Sequence, residues 1–215
     1  MKYVNQTQVN TQAGITFATG LRSILRQDPN IIMVGEIRDE ETAEISVHSA
    51  LTGHLVVSSL HTNDSIAAIP RLIDMKIAPF LVSAVLNAVT AQRLVRRICL
   101  DCIASYTPSP QFIETLKAQI AAMQLSIDFR VPKALFRGQG CLACGHTGYK
   151  GRVGIFEMLD INEEIREYIV NPKFTLDGLR AIAKKHGFVS MFEDGLRKVE
   201  RGMTTIEEIL RVIRE

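Results

Sequence analysis

The sequence lacks several features that mark whole classes of protein. It contains no tryptophan, and aromatic residues make up only 6% of its 215 residues, so few side chains are available for stacking on nucleic-acid bases. Lysine and arginine total 25 against 23 aspartate and glutamate residues, for a net charge of +2. Without a basic tail or stripe, we expect no nucleic-acid partner.

Membrane segments and a signal peptide are also missing from the sequence. No run reaches the ~18 uninterrupted apolar residues of a membrane-spanning helix, and the N-terminus has no apolar signal-peptide core. We therefore expect a cytoplasmic chain that reaches any membrane through a partner. The phosphate-binding pattern G-x-x-x-x-G-K-[ST] is absent as well, and with it the backbone N–H groups and the lysine that hold nucleotide phosphates.

The apolar pattern predicts an α/β fold for the first part of the chain. The run 31–34 is apolar at every position, which favours a parallel strand buried on both faces. A second apolar strand is predicted over 55–60. Strands alternating with helices in this way indicate a parallel sheet with covering helices. The helices predicted around these strands cover 16–27, 40–51, 64–74 and 79–97.

The pattern changes near residue 98. From here two CxxC pairs enclose a predicted helix over 110–126, a strand is predicted over 153–161, and the remainder is predicted to be helical. Capping boxes are indicated at Ser190 with Glu193 and at Thr204 with Glu207. We divide the chain into an α/β core at 1–97, a cysteine-containing module at 98–152 and a mainly helical region at 153–215.

A carboxylate follows the first apolar strand. Gly35 and Glu36 come directly after it, and a parallel strand delivers such residues to the carboxyl edge of the sheet, where α/β folds bind ligands. In phosphoryl transfer, a carboxylate there can orient or deprotonate the attacking water, or hold Mg²⁺ through water. The alternative is a solvated charged turn, and this segment alone favours neither.

Histidines stand at both ends of the second apolar strand. If the two strands are neighbours, His61 shares an edge with Glu36 and could hydrogen-bond a γ-phosphate or the attacking water. His54 stands at the opposite end, where the pattern favours a capping histidine whose ring is satisfied by backbone groups.

The cysteines form two matching pairs, Cys99 with Cys102 and Cys141 with Cys144. Four thiolates fill a tetrahedral structural zinc site and leave no open position for catalysis. A thioredoxin-like redox site needs only one such pair. We therefore predict a structural zinc site; four buried free thiols are the alternative, and His146 could replace one sulfur.

These motifs together resemble a known family. Residues 21–64, 91–99 and 148–159 are similar to the secretion ATPases of type II secretion and type IV pilus assembly, and the similarity covers essentially the whole chain. The resemblance implies a hexameric, RecA-like ATPase of the P-loop NTPase class at the cytoplasmic face of an inner membrane. Such an ATPase binds ATP and Mg²⁺ and works with an inner-membrane platform protein, coupling ATP hydrolysis to the assembly of pilins or pseudopilins.

The resemblance also implies roles for individual residues. The segment 31–39 matches the family's Walker B segment, so Glu36 takes the role of the catalytic carboxylate that acts through water and Mg²⁺. The neighbouring residues of the same segment are implied to bind the cofactor: Gly35, Arg38 and Asp39.

The segment 53–63 matches the family's histidine box, which makes His54 and His61 γ-phosphate sensors or interface contacts. The four cysteines match the tetracysteine zinc module of the assembly-type members. Because retraction-type members generally lack this module, the resemblance favours extension or secretion over retraction.

The sequence departs from the family pattern in what precedes these motifs. The Walker A loop, the aspartate box and the earlier domains are absent, and Asn30 stands where the family usually has aspartate. We expect the C-terminal part of such an ATPase, inactive alone because it lacks the main phosphate contacts. The alternative is a truncated, non-catalytic, zinc-pinned interaction module that associates with full-length subunits or the membrane platform.

Overall fold

The computed structural model describes residues 4–122, 132 and 134–214. The strands are β1 Ile31–Val34, β2 Leu55–Ser58, β3 Ala88–Ile98, β4 Ile103–Tyr106, β5 Leu135–Gly138 and β6 Tyr149–Asp160. The helices are α1 Phe17–Leu25, α2 Glu40–Leu51, α3 Ala68–Asp74, α4 Pro79–Val85, α5 Pro110–Ala122, α6 Glu163–Ile169, α7 Leu176–Lys185, α8 Met191–Glu200 and α9 Ile206–Arg214.

The described residues form two compact units. The first unit lies within Met1–Val89 and Leu159–Phe188, and the second within Thr90–Met158 and Val189–Glu215. Each unit therefore combines segments that are distant in sequence. The division into three regions at residues 97 and 152 remains a prediction about the domains.

In the first unit, β1 and β2 form a parallel pair, with Ile31 opposite Leu55 and Val34 opposite Ser58. A parallel pair requires a crossover connection, which α2 supplies. This helix begins after Asp39, whose side chain accepts a hydrogen bond from the Thr42 amide at 2.8 Å. The predicted α/β fold, with helices packed on a parallel sheet, is confirmed.

Only one face of the β1–β2 pair is covered by the described residues. Ile32 and Val34 are buried in a core shared with residues of α2, α3, α4, α6 and α7. The expectation that β1 is buried on both faces is wrong, because a run of apolar residues does not reveal whether a neighbour covers each of them. The opposite face carries Ile31, Met33, Leu55 and Val57, which are 64%, 78%, 53% and 48% exposed.

The predicted helix over 79–97 is wrong in its second half. α4 ends at Val85, the backbone of Leu86 is extended, and β3 follows from Ala88. Along β3 less exposed and more exposed residues alternate from Ala88 to Val95, which is the period of a strand. Pairing with β6 satisfies the backbone groups of this segment and overrides its helical apolar spacing.

The second unit has its own apolar core, built from β3, β6, α5, α8 and α9. β4 and β5, which the sequence patterns did not indicate, form an antiparallel pair with Ile103 opposite Gly138. The predicted helix over 110–126 is confirmed up to Ala122, and residues 123–126 lie outside the described residues. The strand predicted over 153–161 is confirmed and begins earlier, at Tyr149.

The C-terminal region is helical, as predicted. The capping box at Ser190 and Glu193 is confirmed by reciprocal hydrogen bonds at the start of α8. The box predicted at Thr204 is wrong by one residue, because it is the Thr205 hydroxyl that accepts from the Glu208 amide. The Thr204 hydroxyl instead donates to the Arg96 carbonyl at 2.8 Å.

Candidate functional site

The carboxyl ends of β1 and β2 bring together two of the residues singled out in the sequence. Glu36 lies two residues beyond β1 and His61 three residues beyond β2. Because the strands are parallel neighbours, both residues lie at the same edge. The imidazole Nε2 of His61 is 2.8 Å from Glu36 Oε2, within hydrogen-bond distance.

Arg38 also contacts this carboxylate. Its Nε is 2.7 Å from the same Oε2 of Glu36. The hydrogen bond with His61, and then that with Arg38, lower the pKa of Glu36 below the ordinary glutamate value. The carboxyl is therefore ionised at neutral pH, a state suited to orienting a water molecule or holding Mg²⁺ through water.

The remaining residues of the predicted cofactor-binding segment have structural contacts. Asp39 is the N-cap of α2. Gly35 has a carbonyl that accepts a side-chain hydrogen bond from Ser59 at 2.7 Å. Gly35 contacts Ser59, Arg38 contacts Glu36, and Asp39 caps α2. A cofactor-binding role for these three residues remains a prediction.

His54 lies at the other end of β2. Its Nδ1 is 2.9 Å from the Ser49 carbonyl oxygen and 3.1 Å from the Thr52 hydroxyl, both at the end of α2. The length of β2, four residues or about 13 Å, separates it from the edge that carries Glu36. This geometry matches the capping alternative, and a catalytic role for His54 remains a prediction.

The four cysteine sulfurs form one cluster in the second unit. They lie within 4.8 Å of one another, with Cys99 to Cys141 and Cys102 to Cys144 both at 3.9 Å. Tetrahedral coordination with Zn–S bonds of about 2.3 Å separates the sulfurs by about 3.8 Å. Spacing and donor chemistry therefore fit a single four-sulfur metal site.

Backbone N–H groups point at these sulfurs. The Cys141 amide donates to Cys144 Sγ at 3.2 Å, and the Gly148 amide donates to the same sulfur at 3.3 Å. The Cys141 amide is the main cause that lowers the pKa of Cys144 to about 6, whereas burial raises the pKa of Cys99 to about 11. A metal ion that replaces the thiol protons would remove this difference, since bound thiolates are deprotonated.

Glycines shape the second cysteine pair. Gly140 and Gly145 adopt positive φ of 90° and 58°, which glycine adopts at little cost. A Cβ on Gly140 would also come within 2.8 Å of the His146 carbonyl oxygen. Among the described residues, the group that could hold a metal consists of the four cysteines and does not include His146.

A buried carboxylate in the second unit was not indicated by the sequence patterns. Glu208 on α9 accepts hydrogen bonds from the Arg96 amide and guanidinium and from the Arg211 guanidinium. The Arg96 guanidinium also lies 4.3 Å from the centre of the Tyr149 ring. Arg211 is three residues from Glu208 on the same helix, but Arg96 and Glu208 are 112 residues apart, so no local spacing could have revealed the contact between them. It ties α9 to β3 within the second unit.

Comparison with known structures defines the class of fold. The ATPase DotB of Legionella pneumophila aligns with a TM-score of 0.64 at 21% identity, over 97% of this chain and 45% of that one. The ADP-bound pilus retraction motor PilT aligns with a TM-score of 0.61 at 25% identity, over 92% and 43%. The fold is therefore that of RecA-like ATPases, and this chain carries the cysteine cluster and a helical C-terminal region.

Comparison of sequences defines the family. Residues 1–211 match the family described as type II/IV secretion system protein, and the chain belongs to that family. It is 50% identical over 207 residues to the type IV pilus assembly ATPase PilB of Thermus thermophilus. It is also 50% identical over 212 residues to the type II secretion system protein E of Aeromonas hydrophila.

The chain is shorter than these relatives. The matches cover 96% and 99% of this chain but 22% of the Thermus protein and 40% of the Aeromonas protein. In the part of the chain that the structure describes, no helix is both long and apolar enough to span a bilayer.

Proposed function

We propose that this chain contributes the Glu36 edge of the ATP site in a motor ATPase of type II secretion or type IV pilus assembly. The contact between Glu36 and His61, at the carboxyl edge of a parallel strand pair in a chain of this family, is the observation that supports it. The named relatives include both a pilus assembly ATPase and a type II secretion protein.

In this proposal the ionised Glu36 carboxylate orients the water that attacks the γ-phosphate of ATP. His61 holds the carboxylate in place through Nε2, and it can report the γ-phosphate when a phosphate oxygen takes over this hydrogen bond, because one ring N–H serves one acceptor at a time. Mg²⁺ supplies neutralisation of the phosphate charge. Arg38 shares Oε2 of Glu36 with His61 and contacts it through Nε. In this proposal the other N–H groups of its guanidinium contact a phosphate oxygen when nucleotide binds.

The family resemblance also implies an oligomeric state, a location and a bound metal ion for this ATPase. The ATPase would act as a hexamer with a platform protein at the cytoplasmic face of the inner membrane, and the cysteine cluster would hold Zn²⁺. Alone, this chain would not turn over ATP, since its sequence contains no phosphate-binding loop.

The test replaces Glu36 by glutamine in a chimera that carries this chain in place of the matching segment of the Thermus relative. The chimera is expected to hydrolyse ATP, and Glu36→Gln is expected to lower turnover on the order of 10²-fold or more while ATP binding remains. Glu44→Gln is the matched control, because Glu44 is exposed on α2 and its nearest ionic partner is His48 at 3.9 Å. Unchanged turnover in Glu36→Gln would remove the role assigned to Glu36.

A second candidate is the non-catalytic interaction module, which the compact four-sulfur cluster in a chain without a phosphate-binding loop favours. It predicts that the chain associates with full-length subunits without adding Glu36-dependent turnover to them. ATP turnover of full-length subunits mixed with this chain, with and without Glu36→Gln, separates the two candidates. A lower turnover with Glu36→Gln favours the ATP-site role, and an equal turnover favours the interaction module.

A further inference from the structure

Ser59 contacts the backbone on both sides of Glu36. It follows β2 directly, and its hydroxyl donates to the Gly35 carbonyl at 2.7 Å. Its own carbonyl accepts a hydrogen bond from the Ile37 amide at 3.0 Å. One residue of the second strand therefore holds the peptide group before Glu36 and the peptide group after it.

These two peptide groups determine where the Glu36 side chain points. Peptide groups are planar, so fixing the two that flank a Cα fixes its φ and ψ, and with them the direction of the Cα–Cβ bond. The restraint matters here because the last paired residues of the strand ladder are Val34 and Ser58. Beyond that pair the chain passes through Gly35, the residue type with the greatest backbone freedom.

Ser59 also belongs to the segment that supplies the partner of Glu36. His61 lies two residues further along, and its ring is 2.8 Å from the Glu36 carboxylate. A hydrogen bond from Ser59 to the Gly35 carbonyl thus joins the two segments whose separation sets this distance.

We propose that Ser59 is a positioning residue for Glu36, whose hydroxyl holds the Gly35 carbonyl and so keeps the carboxylate within hydrogen-bond reach of His61. The importance of this role for catalysis rests on the proposed function. The geometry itself exists without nucleotide, so it can be tested in this chain alone.

The test is the pH titration of the Glu36 carboxyl carbon by ¹³C NMR, with the signal assigned from Glu36→Gln. Because Met33 and Val57 are exposed on the β1–β2 pair, the reference chain and each variant carry Met33→Glu and Val57→Lys to limit association. His61, and then Arg38, lower the pKa of Glu36, so a looser contact with His61 raises that pKa toward its ordinary value. We expect this rise in Ser59→Ala. Ser59→Thr keeps a hydroxyl at the same position and is expected to titrate as the wild type does.

Ser58→Ala is the matched control. The Ser58 hydroxyl lies 3.4 Å from the Ser59 carbonyl oxygen, a distance at which a hydrogen bond contributes little, so the titration of Glu36 is expected to be unchanged. Hydrogen exchange of the Ile37 amide is a second readout, expected to be faster in Ser59→Ala than in either Ser58→Ala or the wild type.

An unchanged Glu36 titration in Ser59→Ala, or a Ser59→Thr variant that behaves as Ser59→Ala does, would overturn the proposal. If Ser59→Ala lost the fold as a whole, Ser59→Cys would replace it, because a thiol keeps the shape of the side chain but donates only a weak hydrogen bond; its Glu36 pKa must then also rise. None of these measurements involves ATP. Failure of the positioning role is therefore distinguishable from failure of the ATPase proposal, which depends on turnover in Glu36→Gln.

Discussion

At the scale of single residues, Glu36 and Glu208 differ in how far their carboxylates are exposed to solvent. Glu36 lies at an edge where its side chain is 23% exposed and where His61 and Arg38 share one of its oxygens. Glu208 has a side chain only 2% exposed and receives hydrogen bonds from both Arg96 and Arg211. The accessible carboxylate can meet a ligand, whereas the enclosed one stabilises the fold.

The hydrogen bonds to Glu208 make stability depend on pH. Burial by itself would raise the pKa of Glu208, but hydrogen bonds from Arg96 and Arg211 lower it to about 2. An unfolded glutamate titrates near 4.3. Because the folded-state pKa is the lower of the two, this contribution to stability is present above the unfolded value. It is lost as the pH falls through the range from about 5 to about 2.

We predict that Glu208→Gln lowers the free energy of unfolding by roughly 2 kcal/mol at pH 7. Glutamine keeps the volume of the side chain but leaves Arg96 and Arg211 without a charged acceptor. The difference from the wild type is expected to shrink as the pH falls toward the pKa of Glu208. Urea unfolding at several pH values measures it.

Glu207→Gln is the control for this prediction, since Glu207 is the exposed neighbour of Glu208 on α9. It is expected to change the free energy of unfolding by less than about 0.5 kcal/mol. A difference between Glu208→Gln and the wild type that stayed constant from pH 7 to pH 3 would contradict the assigned role of the charge.

At the scale of elements, backbone hydrogen bonds near the four cysteines connect segments of the second unit that are distant in sequence. The Cys99 amide donates to the Gly148 carbonyl, the Gln139 amide donates to the Cys102 carbonyl, and the Ile98 amide donates to the Met203 carbonyl. The cluster therefore lies where the ends of β3, β5 and β6 meet. A metal ion held there would stabilise several short elements at once.

We predict that the purified chain binds about one zinc ion, because four thiolates fill one tetrahedral site. Cys144→Ser is expected to lower the zinc content to less than about half an ion per chain and to lower the midpoint of thermal unfolding. Elemental analysis and a melting curve with and without a chelator measure the two effects.

His146→Ala tests whether the metal is held by four cysteine sulfurs or by three sulfurs and the His146 ring. Its ring is not part of the described cluster, so the zinc content of this variant is expected to equal that of the wild type. A metal-free wild-type chain of equal stability would refute the metal site, and loss of zinc in His146→Ala would refute the four-sulfur ligand set.

At the scale of the whole molecule, the exposed face of the β1–β2 pair is the largest departure from expectation. Parallel sheets are ordinarily covered on both faces, yet Ile31 and Met33 on β1 and Leu55 and Val57 on β2 are about half exposed or more. Apolar faces of this kind promote association.

We predict that the chain binds a hydrophobic dye and aggregates, and that the double variant Met33→Glu, Val57→Lys reduces both effects. Met33 and Val57 are opposite each other in the strand register, so the new charges are expected to attract across the strands. Dye fluorescence and light scattering measure the change. Val170→Lys, at another exposed apolar position, is the control, and a well-behaved wild-type monomer would contradict the prediction.

The sequence predicted those elements whose determinants lie within a few neighbouring residues. β1, α2 and the capping box of α8 have local determinants: an apolar run, the N-cap Asp39, and the pair Ser190 and Glu193. β3 could not be anticipated in this way, because its residues satisfy a helical spacing as well as an alternating one. The choice between them came from pairing with β6, more than 50 residues away.

The candidate sites show the same limit. Residue types and spacing made Glu36, His61 and the four cysteines candidates, since a carboxylate after a strand and paired thiolates are local features of the sequence, but the segment of Glu36 by itself did not favour a site over a solvated turn. The 2.8 Å contact between Glu36 and His61, the backbone restraint from Ser59 and the burial of Glu208 depend on segments that meet only after folding. Their energies come from long-range packing and desolvation, which residue order alone does not specify.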